Sequence, residues 1–170
     1  FTGFRTAPRL PRTVFRINCI THRNNPIVWI ANMGIPLYDG CISISWQARI
    51  RNLLLSNGIP VTAVNLAPEC GGALTSIIAT NVPYSGIAKR IGNILFGAPG
   101  LCTYLNYIIV VEPDVDVYDL GKVLYAISSQ CNPELDIGVR TGELSNPLNP
   151  YLSNEERKWM RGSKAVLDCT

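Results

Sequence analysis

At 170 residues the chain is long enough for one sizeable core with at most a small annex, and near-average Gly (14) and Pro (12) exclude the disordered and fibrous classes. Fifteen basic against twelve acidic side chains leave a net charge of +3, too weak to argue for a nucleic-acid partner. Hydrophobic residues reach 47% and charged ones only 16%, against about 25% charged in a typical soluble domain, so much of the surface is expected to be covered by something outside the chain.

In chain order, residues 1–38 carry Arg5, Arg9, Arg12, Arg16 and Arg23 and no acid, and four prolines prevent a long helix. Thr13 to Ile20 and Pro26 to Ile30 read as strands, the first alternating Phe15, Ile17 and Cys19 against Arg16 and Asn18. From Ser43 the period changes: Trp46, Ile50, Leu53 and Leu54 predict a helix that Gly58 and Pro60 end. Val61 to Leu66 and Ala73 to Thr80 follow as strands, with a tight turn at Gly71-Gly72. A second helix is expected from an N-cap at Ser85, with Ile87, Ile91, Ile94 and Leu95 on its buried face and its end at Gly97. Tyr107 to Val111 has the composition of a strand buried on both faces. Asp114 or Asp116 is expected to cap a third helix with Val117, Leu120, Leu124 and Ile127 inward, closed by Pro133 and followed by a short strand near Ile137. Residues 141–170 read as an irregular arm that needs a surface to lie on. The order implies an α/β layer domain with a mixed sheet.

Much chemistry is excluded. No apolar segment marks a signal peptide, and the longest charge-free stretch, Ile91 to Val111, is broken by Gly97-Ala98-Pro99-Gly100, so no membrane span is expected. Six cysteines without a C-x-x-C pair, and His22 as the sole histidine, exclude a structural zinc site and argue for free thiols in a reducing, cytoplasmic setting. No G-x-S-x-G elbow is present, and His22 reads as a turn residue. The acids Glu112, Asp114, Asp116 and Asp119 are explained by capping. Spacing alone stops at an α/β domain with a covered side.

The run Tyr107 to Ile137 (YIIVVEPDVDVYDLGKVLYAISSQCNPELDI) strongly resembles the C-terminal part of UbiD-type decarboxylases. Further matches are Ile20 to Ile27 (ITHRNNPI), Asn146 to Pro150 (NPLNP) and Gly162 to Asp168 (GSKAVLD), so that the resemblance covers essentially the whole chain. Among subfamilies it is most similar to the hydroxybenzoate (protocatechuate- or gallate-type) enzymes. The resemblance implies a two-part enzyme. An N-terminal split β-barrel binds prenylated FMN through Mn2+ and K+, and a C-terminal α/β part drives oligomerisation. The implied reaction is reversible non-oxidative decarboxylation of an aromatic carboxylic acid.

By the same resemblance, residues 1–40 would be terminal strands of the barrel, 41–140 the α/β oligomerisation domain and 141–170 an arm returning to the substrate site. Phe1-Thr2-Gly3-Phe4 matches the tail of an E-G-P-F-G-E-x-[TH]-G-[YF] phrase. The Glu-Arg-Glu acid–base set is therefore expected upstream of Phe1, and the 170 residues alone are expected to be inert. Phe1, Thr2, Met33, Ile44 and Asn146 fall at pocket positions, Asn146 as a donor to a ring hydroxyl. Some relatives carry a Lys in the loop after the second helix, where this chain reads Gly97-Ala98-Pro99-Gly100-Leu101. Asp136 and Asp168 match phrases that approach one another, and two adjacent carboxylates call for a monovalent cation or a basic group such as Lys164 or Arg140. Expected partners are the aromatic acid, a second copy in a homodimer or higher oligomer, and the N-terminal domain, with no nucleic acid and no membrane. The alternative reading is a non-catalytic α/β oligomerisation or interaction module.

Overall fold

The computed structural model describes residues 11, 13–28, 30, 37–81 and 84–170, with the backbone alone for 37–42. Its regular elements are α1 (Leu37–Ser56), β1 (Val61–Asn65), β2 (Thr75–Thr80), α2 (Ile87–Gly97), α3 (Leu101–Tyr104), β3 (Tyr107–Val111), α4 (Leu120–Gln130), β4 (Ile137–Leu144), α5 (Asn154–Trp159) and β5 (Arg161–Cys169). The strands form one mixed sheet in the order β1-β2-β3-β5-β4. β2, β3 and β5 are parallel, and β1 and β4 run antiparallel at the edges.

The apolar runs explain the layering. All six residues of β2 and residues 108–111 of β3 are buried, as strands covered on both faces must be. On one face α1, α2 and α3 close a core around Ile50, Leu54, Ile91, Leu95, Ile108 and Val166. On the other, α4 alone covers Ile77, Ile109, Val111 and Cys169 with Val123 and Ala126. The α/β class with a mixed sheet is as the sequence implied.

Four local expectations are corrected. α2 is capped by Gly86, in the left-handed conformation (φ 86°), with no side-chain cap, so Ser85 does not serve. α4 begins later than expected, because Asp116 spends its carboxylate on the Tyr118 amide in a preceding turn. Asp119 is the N-cap, accepting from Gly121 (3.0 Å) and Lys122 (3.3 Å). The helix thereby buries Val123 and Ala126 and leaves Leu124 63% exposed. The described residues of 13–20 and 26–30 form no strand: Val14, Phe15 and Ile17 are exposed, and alternation makes a strand only where a neighbouring strand is present to pair with. Residues 141–170, finally, are not irregular, since β5 lies inside the sheet between β3 and β4.

Gly92 lets α2 lie on β5: a Cβ there would stand 2.6 Å from Val166 Cγ2, whereas one at Gly97 would meet nothing within 4 Å. Gly92→Ala is expected to lower stability by about 1–3 kcal/mol through overpacking. Gly97→Ala is expected to raise it by up to about 1 kcal/mol through helix propensity. Urea denaturation of both variants checks the pair, and equal signs would contradict this packing.

Candidate functional site

The carboxyl end of β5 carries the predicted acid pair. The Asp168 amide donates to the Asp136 carbonyl at 2.9 Å, and both acids line a cavity of about 120 Å³ together with Ser85, Gly86, Lys89 and Gly138. Each carboxylate also has a local partner. Asp136 Oδ2 accepts from the Asn132 amide at 2.8 Å, and Asp168 Oδ1 accepts from the Thr170 hydroxyl at 2.7 Å. The described residues contain no group of three or more His, Cys, Asp or Glu side chains able to hold a metal ion.

Neither basic residue proposed for these acids faces them. Arg140 and Lys164 are cross-strand partners on β4 and β5, and both cations sit over the ring of Phe96 from α2, at 5.5 and 4.9 Å from its centroid. Arg140 donates to Asn93 Oδ1. Lys164, 2% exposed, gives its ammonium to the carbonyls of Cys102 and of Leu105 (2.7 Å), tying the end of α3 to β5. Burial pushes its pKa down.

The opposite end of β4 and β5 holds Asn146. Eight residues of strand at ~3.3 Å each put it roughly 25 Å along the sheet from Asp136. Asn146 is buried, and its Oδ1 accepts from the Leu148 amide at 2.9 Å, shaping the turn at Pro147. The segment that follows is held from inside. Asn149 Nδ2 donates to Asn106 Oδ1 (3.1 Å) and to Ser145 Oγ (2.8 Å), and Ser145 Oγ meets the Tyr151 hydroxyl at 3.2 Å. Arg157 holds it from α5, with Nε to the Pro147 carbonyl (3.1 Å) and Nη2 to those of Asn149 (3.0 Å) and Pro150 (3.1 Å). A capping box between Ser153 and Glu156 starts that short helix, and its backbone and hydroxyl hydrogen bonds hold the Glu156 carboxyl below its usual range. The sequence reading missed this network and the buried position of Lys164. The Asn/Pro density of NPLNP was the available signal for an ordered turn.

Ile44, expected at the pocket, lies on α1 and is 73% exposed. Phe1, Thr2 and Met33 lie outside the described residues. His22 is exposed, and its Nδ1 donates to the Arg23 carbonyl (3.0 Å), in a turn where Asn25 has φ 58°. No described helix is long and apolar enough to cross a membrane.

Comparison with known proteins places this architecture. The model of the 3-octaprenyl-4-hydroxybenzoate carboxy-lyase C-terminal domain, UbiD_C, matches residues 42–169. The chain belongs to the UbiD family. A phenolic acid decarboxylase of Sedimentibacter hydroxybenzoicus is 31% identical over 152 residues, covering 88% of this chain and 31% of the relative. A gallate decarboxylase of Lactiplantibacillus plantarum is 28% identical over 180 residues, covering 100% and 36%. The closed form of the vanillic acid decarboxylase of S. hydroxybenzoicus superposes with a TM-score of 0.74 at 29% identity, over 88% of this chain and 31% of that one. The UbiD-class enzyme HmfF of Pelotomaculum thermopropionicum, solved with FMN, shares the fold at 18% identity (TM-score 0.69, 78% and 28% covered). The chain thus spans about 30% of the length of the curated relatives it matches first. The UbiD domain boundary at residue 42 falls inside α1, which begins at Leu37.

Two variants probe this end of the domain. Arg157→Ala is expected to speed hydrogen exchange at Leu148, Asn149 and Leu152 at least tenfold and to cost about 1–3 kcal/mol. Lys158→Ala, which loses only a contact over the Trp159 ring, should leave that exchange unchanged. Lys164 gives a pH signature. Between its lowered pKa and the roughly 10.4 of a free lysine the unfolded chain binds more protons, so folding is favoured as pH rises through that window. The stability of the natural chain relative to Lys164→Met, read from urea melts, is expected to increase from pH 8 to pH 10. A difference that stays flat would contradict a desolvated ammonium.

Proposed function

We propose that this chain is the C-terminal part of a non-oxidative decarboxylase of aromatic, hydroxybenzoic-type acids that works with prenylated FMN. The observation that carries the reading is the UbiD_C match over residues 42–169, joined to relatives named phenolic acid and gallate decarboxylase. Among the described residues no three acidic, His or Cys side chains converge to hold a divalent ion. On the family resemblance, flavin, Mn2+ and K+ are bound mainly by sequence before Phe1, which also carries the Glu-Arg-Glu set, and residues 1–170 alone are inactive. Residues 1–40 belong with the flavin-binding barrel.

In this reading the chain supplies a pocket wall and an assembly surface. Phe1, Thr2, Met33 and Ile44 stand beside cofactor and substrate. Asn146 offers its amide hydrogens to a ring hydroxyl, since its Oδ1 is already engaged by Leu148. Self-association is supported by apolar side chains that the domain leaves uncovered, Leu124 and Tyr125 on α4 and Val139 on β4. A monovalent cation between Asp136 and Asp168 is supported by their common cavity and opposed by Lys89 on its wall. A cytoplasmic location accords with free thiols.

The test uses the complete polypeptide that carries these residues, produced in a host that makes prenylated FMN. Protocatechuate, gallate, vanillate and cinnamate are assayed by loss of the acid, and size is read by light scattering on the same sample. Decarboxylation of the phenolic acids by an oligomer is the expected result. Preference for cinnamate would refute the subfamily, and an upstream sequence lacking an E-G-P-F-G-E-like phrase, with no activity, would favour a non-catalytic module.

A further inference from the structure

The turn between β4 and α5 is fixed from three sides. Across it lies the Arg157 guanidinium, with Nε donating to the Pro147 carbonyl (3.1 Å) and Nη2 to those of Asn149 (3.0 Å) and Pro150 (3.1 Å). From inside, Asn149 spends both amide hydrogens on Asn106 Oδ1 (3.1 Å) and Ser145 Oγ (2.8 Å). Asn106 is itself anchored, its amide donating to the Leu74 carbonyl and its carbonyl accepting from Ala165. Beneath the turn Gly162 permits close contact, since a Cβ there would stand 2.7 Å from Ser145 Cβ and from the Tyr151 hydroxyl oxygen.

Asn146 differs from Asn149. Its Oδ1 accepts from the Leu148 amide at 2.9 Å, and its Nδ2 has no partner among the described residues. Within that set Ser76 Oγ is the one fully buried side-chain atom left without a partner. Asn146 Nδ2 therefore opens onto the surface, although the residue is only 6% exposed. An amide with its oxygen engaged and its nitrogen free is a donor. The Leu148 amide that holds Oδ1 and the Pro147 carbonyl that Arg157 holds belong to one peptide unit, and that unit is planar. Arg157 thus sets the plane that sets the direction of the Asn146 amide.

We propose that Arg157 is a positioning residue for the substrate: by holding the 147–148 peptide plane it aims Asn146 Nδ2 at a ring hydroxyl of the phenolic acid. The inference rests on the phenolic-acid reading of the function. A fork of donors is needed to span these carbonyls, and the single ammonium of a lysine holds fewer of them.

The test uses the complete polypeptide with its cofactor, assayed on the phenolic acid it turns over best. Arg157→Ala is expected to raise KM about tenfold, the loss of one hydrogen bond to substrate, and to leave kcat within about twofold. Arg157→Lys should raise KM about threefold, keeping part of the hold. Asn146→Ala should raise KM as much as Arg157→Ala does, and the double variant should be no worse than Asn146→Ala alone. The Kd of the product phenol, read by calorimetry, should follow KM in every variant. Lys158→Ala, on the same helix, should change none of these. Additive effects of the Arg157 and Asn146 substitutions, or a fall in kcat at unchanged KM, would overturn the proposal and leave the phenolic-acid reading standing. A natural enzyme inactive on every phenolic acid would overturn both. Where Arg157→Ala fails to fold, Arg157→Lys combined with Asn146→Ala decides by the same comparison.

Discussion

The architecture depends on the last strand in the sequence being an interior strand of the sheet. β5 pairs in parallel with β3 and antiparallel with β4, so the sheet stays in two pieces until residues 161–169 insert between them. Its side chains carry both layers: Val166 packs under α2 while Leu167 and Cys169 face α4. Lys164 fastens the same strand to the end of α3. Such long-range pairing makes folding depend on closing large loops before any contact rewards them.

The route by which the chain reaches β5 explains the polar cluster at residues 145–160. β4 leaves the sheet at Leu144, and β5 starts at Arg161 on the neighbouring track, so the intervening residues must turn back over the end of β3. A segment with Pro147 and Pro150 cannot satisfy itself with a regular ladder. Its carbonyls go to Arg157, and its side chains to Asn106, Ser145 and Tyr151. This gives the domain an ordered polar edge at the amino ends of β3 and β5. The acids Asp136 and Asp168 mark the other end.

Coverage of the sheet is unequal. Three helices close one face, whereas α4 alone serves the other, and no residue of β4 is fully buried. The Gly142 bulge in β4, with φ 74°, interrupts the ladder at the edge of the sheet, a device that discourages unintended strand addition. Low charge and uncovered Leu124, Tyr125, Leu135 and Val139 make this an exterior suited to lying against other protein, in keeping with relatives about three times as long as this chain.

The sequence by itself determined the α/β class, the existence and kind of α1, β1, β2, α2, β3 and α4, and the family, because hydrophobic period and short phrases are local properties of the chain. It placed Asp136 beside Asp168 only through the family resemblance. Only the tertiary structure decided which side of α4 is buried, since turns at Asp116 and Asp119 set the helix phase, and decided that residues 161–169 are a strand, since a strand is defined by its partners. It also decided the company of Lys164: a lysine in a strand reads as solvent-facing until register puts it over Phe96 and two carbonyls. These are consequences of strand order and register, which depend on contacts between residues distant in sequence.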